Sequence, residues 1–303
     1  MTLTGLIAGT AYTIRVTAFN TVGDGPTVTG TGTTTGGSSG GGGGTTSPAP
    51  MPYPAKAVAV YYMMWSDSPS PALGDLPVGI NVLNLAFAQG DPPQLVGWSP
   101  AGKATFVAGI KTLRARGVRV VLSLGGAGGS INVANRTAFV QGVLAVNADV
   151  PLDGIDWDLE GQAMGASDVV AVSAALKQQR GANFAVTMAP NGGNVDQYIT
   201  VAQALNSAGA LDMIGQQFYD ATVSVDQADG RINQMIGAGI PENKVSIGMM
   251  IANDAQHWTL QQCVTNTQIL KSRHPNLRGG YLWESGRAQT AEWVSQVGPI
   301  LLS

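Results

Sequence analysis

Eight apolar, strand-like runs follow one another between residues 56 and 303, and several gaps between them have the apolar spacing of a helix, as in residues 103–116 and 168–179. Alternating strands and helices predict a parallel sheet, and eight repeats in a segment close to the roughly 250 residues of a (β/α)8, or TIM, barrel predict its closure. The alternative, a doubly wound open sheet, would need a glycine-rich phosphate loop after the first run, where the chain reads SDSPSP. The runs are residues 57–64, 81–88, 119–125, 154–160, 184–190, 213–219, 244–251 and 278–283.

The first 55 residues have a different pattern. An alternating strand over residues 11–18 places Tyr12, Ile14 and Val16 on one face, and residues 1–35 hold too few strands for a complete sheet sandwich. No charged residue occurs between positions 25 and 55, and residues 30–44 contain nine glycines. Such a segment cannot offset its ordering entropy by burial. We therefore predict a partial β-sandwich remnant at 1–35, a disordered linker at 36–55 and a barrel domain at 56–303.

The composition excludes several classes of function. Charged residues make up 12% of the chain, about half the usual share, and the formal net charge is −3, so we expect neither a nucleic-acid partner nor a membrane surface. Cys263 is the only cysteine, which excludes an internal disulfide and a cysteine-based zinc site. No apolar run approaches the roughly 18 residues of a membrane span. No signal-peptide pattern follows Met1, so we expect any export address to lie outside this sequence.

The fourth run carries the candidate chemistry. It ends in DGIDWDLE, residues 153–160, where a period of two places Asp156, Asp158 and Glu160 on one face and apolar residues on the other. The apolar face suits the helix layer, so the carboxyl groups point into the barrel, with Glu160 at the C-terminal mouth where active sites of this fold lie. Carboxyls about 6.7 Å apart along a strand share protons, which suits a general acid for glycosidic cleavage. A structural charge cluster and a divalent-metal site remain as alternatives.

These residues carry a resemblance. DGIDWDLE resembles the Asp-x-x-Asp-x-Asp-x-Glu signature of family 18 glycoside hydrolases, which include chitinases and endo-β-N-acetylglucosaminidases, and LSLGG at 122–126 resembles their Ser-x-Gly-Gly motif. The likeness covers essentially all of residues 56–303. The short gap between the seventh and eighth runs resembles members without an α+β insertion, which implies an open groove and endo-type cutting. Residues 6–12 and 20–25 resemble the C-terminal third of a fibronectin type III domain.

The resemblance implies a role for each acid of the fourth run. Glu160 would be the general acid and base. Asp158 would hold the substrate's acetamido group, and Asp156 would exchange a proton with Asp158. Ser123 would form a hydrogen bond near Asp156, and Asp153 would support the start of the strand.

The resemblance also implies residues on other strands. In QQFYD, residues 216–220, Tyr219 would donate its hydroxyl to the acetamido oxygen, with Gln217 and Asp220 lining the site; Gln217 departs from the commoner methionine. Trp283 would form the floor under the reacting sugar. Cis peptide bonds are expected at Ala86-Phe87 and Trp283-Glu284. The remaining expected contributors to the site are Phe87, Trp65, Gly125 and Gly126.

The expected function is an endo-acting, secreted and monomeric chitinase that binds chitin or chitooligosaccharides. It would hydrolyse β-1,4-linked N-acetylglucosamine with retention, through an oxazolinium formed by the substrate's own acetamido group. No cofactor or metal is expected. The alternatives are an endo-β-N-acetylglucosaminidase that cuts N-glycan cores, a non-catalytic chitin-binding protein on the same barrel and, most remotely, a metal-dependent lyase.

Overall fold

The computed structural model describes residues 11–20, 23–33, 47–65, 70–97, 102–129, 131–160, 165–192, 195–286 and 288–303. The chain divides into two compact units, Met1–Thr45 and Thr46–Ser303. Residues 36–46 of the predicted linker lie outside the described residues. None of the helices in the described part of the chain is long and apolar enough to cross a membrane.

The first unit contains a two-stranded antiparallel ladder. Strands β1 (Ala11–Asn20) and β2 (Gly23–Thr33) pair from Ala11 opposite Thr33 to Asn20 opposite Gly23, with an irregularity between Thr17 and Phe19. The hydroxyls of Thr17 and Thr27 lie 2.6 Å apart across the ladder. The two strands in the described residues of this unit are fewer than a sandwich of two sheets needs, so the resemblance to fibronectin type III stays a prediction.

The second unit is a closed parallel barrel, as the alternation of strands and helices predicts. Each of its eight strands pairs in parallel with its neighbours, the last strand pairs with the first, and a two-residue strand, β5, runs antiparallel to β4 at the edge. The strands are β3 (Ala57–Met63), β4 (Val82–Gln89), β5 (Gln94–Leu95), β6 (Arg119–Gly125), β7 (Gly154–Asp158), β8 (Ala185–Met188), β9 (Met213–Gln217), β10 (Val245–Met250) and β11 (Gly279–Trp283).

Helices cover the outside of the barrel. The helices predicted at 103–116 and 168–179 are present as α1 and α3 with slightly different ends. Capping boxes begin α5 and α6: Ser224 exchanges hydrogen bonds with Gln227, and Thr259 with Gln262. The helices are α1 (Lys103–Ala115), α2 (Arg136–Asp149), α3 (Ala166–Arg180), α4 (Val195–Ser207), α5 (Val225–Gly237), α6 (Leu260–Arg273), α7 (Thr290–Gln296) and α8 (Gly298–Leu302), with short 3₁₀ turns at Leu73–Asp75 and Glu242–Lys244.

Strand β7 has one apolar and one acidic face, as its alternation predicts. Trp157 points to the helix layer, where its ring stacks on Phe139 at 5.8 Å and its Nε1 donates to Ser173 Oγ at 3.1 Å. Asp156, the next residue toward the N-terminus, is fully buried on the opposite face, inside the barrel. Packing of the outward face therefore fixes the direction of the inward carboxyl groups.

Residues 47–55, which we call the N-terminal strap, belong to the barrel unit and not to the linker predicted there. Met51 N donates to Asp153 Oδ1 at 2.7 Å, Arg119 Nε donates to the Pro52 carbonyl at 2.9 Å, and Tyr53 is buried. Two more arginines bind strap carbonyls: Arg114 that of Ala49 and Arg180 that of Pro48. The composition reads as a linker because the strap's own residues are uncharged, whereas the groups that hold it come from elsewhere in the sequence.

Candidate active site

Asp156 lies at the centre of a hydroxyl cluster inside the barrel. Its Oδ2 accepts hydrogen bonds from Tyr61 Oη and Ser123 Oγ, both at 2.8 Å, and its Oδ1 accepts from Thr187 Oγ1 at 2.7 Å. Burial raises the pKa of Asp156, and the three hydroxyl donors oppose that rise by stabilising the ionised form. The contact from Ser123 matches the expected one, whereas Tyr61 and Thr187 are additional partners from β3 and β8.

Asp158 and Glu160 converge on a single amide. Strand β7 ends at Asp158, so Glu160 stands two residues beyond the ladder and not on the strand predicted through residue 160. Gln217 Nε2 nevertheless lies 3.1 Å from Asp158 Oδ1, 3.2 Å from Glu160 Oε1 and 3.2 Å from the Ala189 carbonyl. On its other oxygen, Glu160 accepts from Asn191 Nδ2 at 3.4 Å. Gln217 is therefore a shared donor between the two carboxyl groups.

The pKa of Asp158 is well above that of an exposed aspartate. Burial is the largest cause, followed by the negative charges of Glu160 and Asp156 and by a hydrogen bond with Glu160. The amide of Gln217 acts in the opposite direction. Asp158 is consequently suited to carry a proton at pH values where an exposed aspartate has lost it.

Tyr219 lies at the mouth of the barrel beyond the end of β9 and is 8% exposed. Burial and the negative charges of Asp158 and Glu160 raise the pKa of Tyr219. Tyr281 Oη donates to the Gly215 carbonyl at 2.9 Å. The Tyr219 phenol therefore keeps its proton and can act as a hydrogen-bond donor.

Three aromatic rings line the same end of the barrel. Trp65 and Phe87 are nearly parallel with centroids 6.3 Å apart, and Phe87 and Trp283 are nearly parallel at 5.6 Å. Trp65 and Trp283 are half-buried. The cis peptide bonds expected at Ala86-Phe87 and Trp283-Glu284 are present. The structure thus brings the predicted tryptophans and Phe87 together.

The glycines of the second motif allow a close approach. Gly126 has a φ of +82°, its N–H donates to the Asp158 carbonyl at 2.8 Å, and a Cβ at this position would lie 2.5 Å from the Phe87 ring. Gly125 has a φ of +112° and its carbonyl accepts from Gln89 Nε2 at 3.0 Å. A side chain at Gly126 would displace Phe87 or the end of β7.

Asp153 lies at the opposite end of β7 from Glu160. Its carboxylate is fully buried and accepts from Arg114 Nε and Nη2 at 3.0 and 2.7 Å and from Val120 N at 2.9 Å. With the contact from Met51 it joins α1, β6 and the N-terminal strap at the start of β7. Asp153 therefore holds backbone and does not line the mouth.

Asp220 directly follows Tyr219, and its side chain is 71% exposed. Its φ of +56° is in the left-handed region, which aspartate tolerates better than most residues. The structure thus brings the predicted acids of β7 together with Gln217 and Tyr219, and places Asp220 on the rim.

Neither a metal site nor thiol chemistry is apparent in the parts of the chain that the structure describes. There, no three histidine, cysteine, aspartate or glutamate side chains are grouped so as to hold a metal ion. Cys263 is buried in α6, and burial raises the pKa of its thiol to about 12. The thiol is therefore a poor nucleophile.

The sequence and the fold both have known relatives. A family model described as glycosyl hydrolases family 18 matches residues 57–295. Exochitinase 1 of Streptomyces olivaceoviridis is 29% identical over 149 residues, which cover 39% of this chain and 25% of that protein. Chitinase Chi52 of Paenibacillus xylanexedens is 27% identical over 192 residues, 52% of this chain and 36% of that protein. The chain thus spans about a third or less of the length of these relatives.

Solved structures share the barrel at low identity. A Streptomyces coelicolor protein assigned as chitinase A superposes with a TM-score of 0.73 at 20% identity, over 82% of this chain and 99% of that one. A fungal endo-β-N-acetylglucosaminidase of family 18 superposes with a TM-score of 0.66 at 20% identity, over 80% of this chain and 97% of that one. A plant class V chitinase mutant from Cycas revoluta, in complex with (GlcNAc)3, superposes with a TM-score of 0.65 at 15% identity, over 80% of this chain and 99% of that one.

The residues matched by the family model, 57–295, include the (β/α)8 barrel with its acidic strand end, and the relatives reported above are named chitinases. The chain belongs to glycosyl hydrolases family 18, because the family model covers well over half of it.

Proposed function

We propose that this barrel is an endo-acting chitinase that hydrolyses β-1,4 linkages between N-acetylglucosamine units and retains the anomeric configuration. The observation that carries the proposal is the convergence of Asp158 and Glu160 on the amide of Gln217, at the end of the barrel where the charges of both acids raise the pKa of Tyr219. One half-buried carboxyl group, one carboxyl group with a raised pKa and one phenol donor suit the cleavage of a glycosidic bond beside an acetamido group.

Glu160 is assigned as the general acid and base. It protonates the glycosidic oxygen as the bond to C1 breaks, while the carbonyl oxygen of the substrate's 2-acetamido group attacks C1 and forms an oxazolinium ring. Water then attacks C1 and gives a proton to Glu160, which restores the acid. Two inversions at C1 retain the configuration.

Asp158 and Tyr219 are assigned to the acetamido group. Asp158 orients its N–H and stabilises the positive charge that grows on the ring, and Tyr219 donates to its oxygen. These interactions strengthen as the charge develops, so they favour the transition state over the bound substrate. Asp156 exchanges a proton with Asp158 inside the hydroxyl cluster.

The burial of Asp156 supports an acetamido nucleophile over a carboxylate nucleophile. Asp156 is fully buried and occupied by Tyr61, Ser123 and Thr187, so its oxygens do not reach a sugar in the cleft. Asp158 and Glu160 follow each other on one segment, whereas a conventional retaining enzyme places its nucleophile and acid on opposite faces of the sugar.

The length of the connection between β10 and β11 supports an open groove. Between Met250 and Gly279 the chain forms α6 and its loops, which leaves no room for an additional domain over the cleft. A long polymer can then lie across the mouth, and internal cleavage follows. Trp283 is assigned to the floor beneath the reacting sugar, since an indole face packs on a pyranose ring.

Chitin or a chitooligosaccharide is the proposed substrate because the curated relatives are named chitinases and one structural neighbour holds (GlcNAc)3. Because a fungal endo-β-N-acetylglucosaminidase has the same fold, the N-glycan core is the second candidate substrate. Glu160, present at the mouth, favours catalysis over a purely sugar-binding role. We also propose an extracellular monomer, since an insoluble polymer must be cut outside the cell.

The decisive experiment compares substrates. The protein is incubated with colloidal chitin, with (GlcNAc)4–6 and with a high-mannose glycopeptide, and products are followed by mass spectrometry and the viscosity of a soluble chitin derivative. We expect short oligosaccharides and an early fall in viscosity. Cleavage of the glycopeptide alone would establish the second candidate, and release of dimers from one chain end without a fall in viscosity would contradict endo action.

A further inference from the structure

Two loops at the mouth of the barrel are joined side by side. The first, residues 218–224, leads from β9 to α5, and the second, residues 251–259, leads from β10 to α6. Thr222 Oγ1 donates to the Ala255 carbonyl at 2.8 Å, and Trp258 Nε1 donates to the Val223 carbonyl at 2.7 Å. These bonds hold the two loops together independently of any charged group.

A third connection between the loops is made by the side chain of His257. The side chain of His257 is only 9% exposed and lies between two carboxylates: Nε2 is 3.0 Å from Asp220 Oδ1, and Nδ1 is 2.7 Å from Asp254 Oδ1. Asp254 also accepts from Gln256 N at 2.8 Å, and these hydrogen bonds lower the pKa of Asp254. Each ring nitrogen of His257 therefore lies within hydrogen-bond distance of one carboxylate, so the imidazole bridges Asp220 and Asp254.

Of the two carboxylates, that of Asp220 belongs to the loop that also carries Tyr219. Asp220 directly follows Tyr219 in the chain, and its negative charge is the last of the causes that raise the pKa of Tyr219. Its side chain is 71% exposed, yet Oδ1 is held by His257. No residue that the structure describes donates to Oδ2. An exposed carboxylate with one oxygen fixed and the other open is suited to accept a hydrogen bond from a sugar hydroxyl.

We propose that His257 is a positioning residue, which fixes the carboxylate of Asp220 so that it accepts a hydroxyl of the sugar chain bound beside Tyr219. The inference rests on the proposed function, since it assumes a sugar in the cleft. His257 does not touch the reacting atoms, and Asp220 binds a hydroxyl that does not change during the reaction. Loss of the contact should therefore raise KM while kcat changes little.

The test uses two variants with amide side chains, each of which keeps a nitrogen at the position of only one of the two ring nitrogens of His257. In His257→Gln the side-chain nitrogen takes the position of Nε2 and can still donate to Asp220, whereas in His257→Asn it takes the position of Nδ1 and reaches only Asp254. Thr222→Val is the matched control, because it removes a hydrogen bond between the same two loops without touching Asp220. KM and kcat are measured on (GlcNAc)4–6, and thermal unfolding is recorded for each variant.

We expect His257→Asn to raise KM about fivefold or more with kcat within about twofold, since a hydrogen bond to a charged group is lost. His257→Gln should restore KM, and Thr222→Val should leave it unchanged. Equal KM values for the Asn and Gln variants would overturn the role of His257 while leaving the proposed function intact. A parallel rise in KM for Thr222→Val would show that loop packing alone is at work. A wild-type protein that neither cleaves nor binds the oligosaccharides would overturn both proposals.

Discussion

Gln217 and Asp158 are joined by a hydrogen bond of 3.1 Å, and the same amide nitrogen lies 3.2 Å from Glu160. A primary amide carries two hydrogens, so one group holds two carboxyl groups at a fixed separation. The commoner methionine of the family has no donor to offer there. Gln217 therefore adds a polar constraint that acts on the acid and on the group assigned to the acetamido.

Replacement of Gln217 by methionine keeps the length of the side chain and removes the donor. We expect Gln217→Met to lower kcat/KM by roughly 10- to 100-fold, because the amide hydrogen bonds to both carboxyl groups are lost. Gln216→Met is the matched control: Gln216 points to the opposite face of β9, and its buried Oε1 has no partner among the described residues. The proposed constraint would be wrong if both variants showed normal kcat/KM.

The assignment of Glu160 as the acid predicts a specific defect. Glu160→Gln keeps the shape and can still contact Gln217 but has no proton to give. We expect kcat on an unactivated oligosaccharide to fall by at least about 10²- to 10⁴-fold, with the thermal unfolding temperature nearly unchanged. A folded variant with near-normal turnover would exclude Glu160 as the acid.

The proposed nucleophile belongs to the substrate, so it can be removed without a mutation. An oligosaccharide with glucose or glucosamine at the reacting position lacks the acetamido oxygen, and we expect no cleavage there. A thiazoline mimic of the oxazolinium should inhibit the wild-type protein and bind much less well to Asp158→Asn. Mass spectrometry supplies the counter-test, because a covalent sugar ester on Asp158 or Asp156 is incompatible with the mechanism.

The raised pKa of Asp158 has a consequence for stability. The unfolded chain releases this proton near pH 4, whereas the folded protein retains it to a higher pH, so ionisation of Asp158 reduces the free energy of unfolding as pH rises. Asp158→Asn removes that loss. In urea unfolding at several pH values from about 4 to 7, the free energy of unfolding of the variant should increase relative to that of the wild type as pH rises. A difference that stays constant with pH would mean that Asp158 is not perturbed.

The N-terminal strap predicts where the barrel unit can be truncated. Deletion of residues 1–46 leaves the strap in place and should not change the unfolding temperature. Deletion of residues 1–55 removes Tyr53 and the carbonyl partners of three arginines and leaves Asp153 with fewer donors. We expect a decrease of roughly 5–15 °C by thermal scanning. Equal stability of the two truncated proteins would show that residues 47–55 contribute nothing.

The sequence predicts the barrel and the inward acids because both depend on local periodicity. The period-two pattern of residues 153–160 forces Asp156 inward once Trp157 packs outward, and the structure confirms this direction. The end of the strand was predicted at residue 160 and is found at Asp158. The period-two pattern carries no information about where hydrogen bonding between strands stops, so it cannot predict the last residue of the strand.

The surroundings of the acids could not be predicted in the same way. Tyr61 and Thr187 donate hydrogen bonds to Asp156 from other strands, at sequence separations of 95 and 31 residues. Each lies in an apolar run whose pattern predicts only ordinary core packing. Asn191 reaches Glu160 only because β8 ends beside β7. The prediction of a linker at residues 47–55 is wrong for a related reason, since the arginines that bind this segment are distant in the sequence. Contacts that arise from barrel closure leave no local pattern in the sequence.

The two capping boxes have an implication for how the cleft can change. The loops at residues 218–224 and 251–259 each begin at the end of a barrel strand and end at the start of a helix. Each helix start is fixed by a capping box, Ser224 with Gln227 or Thr259 with Gln262. Both ends of each loop are thus anchored without help from the residues between them. Substitutions in these loops at positions other than Tyr219 can alter which sugars the loops contact while the barrel strands and helices keep their positions. Related chains can therefore acquire new sugar preferences through these loop positions without moving the residues assigned to catalysis.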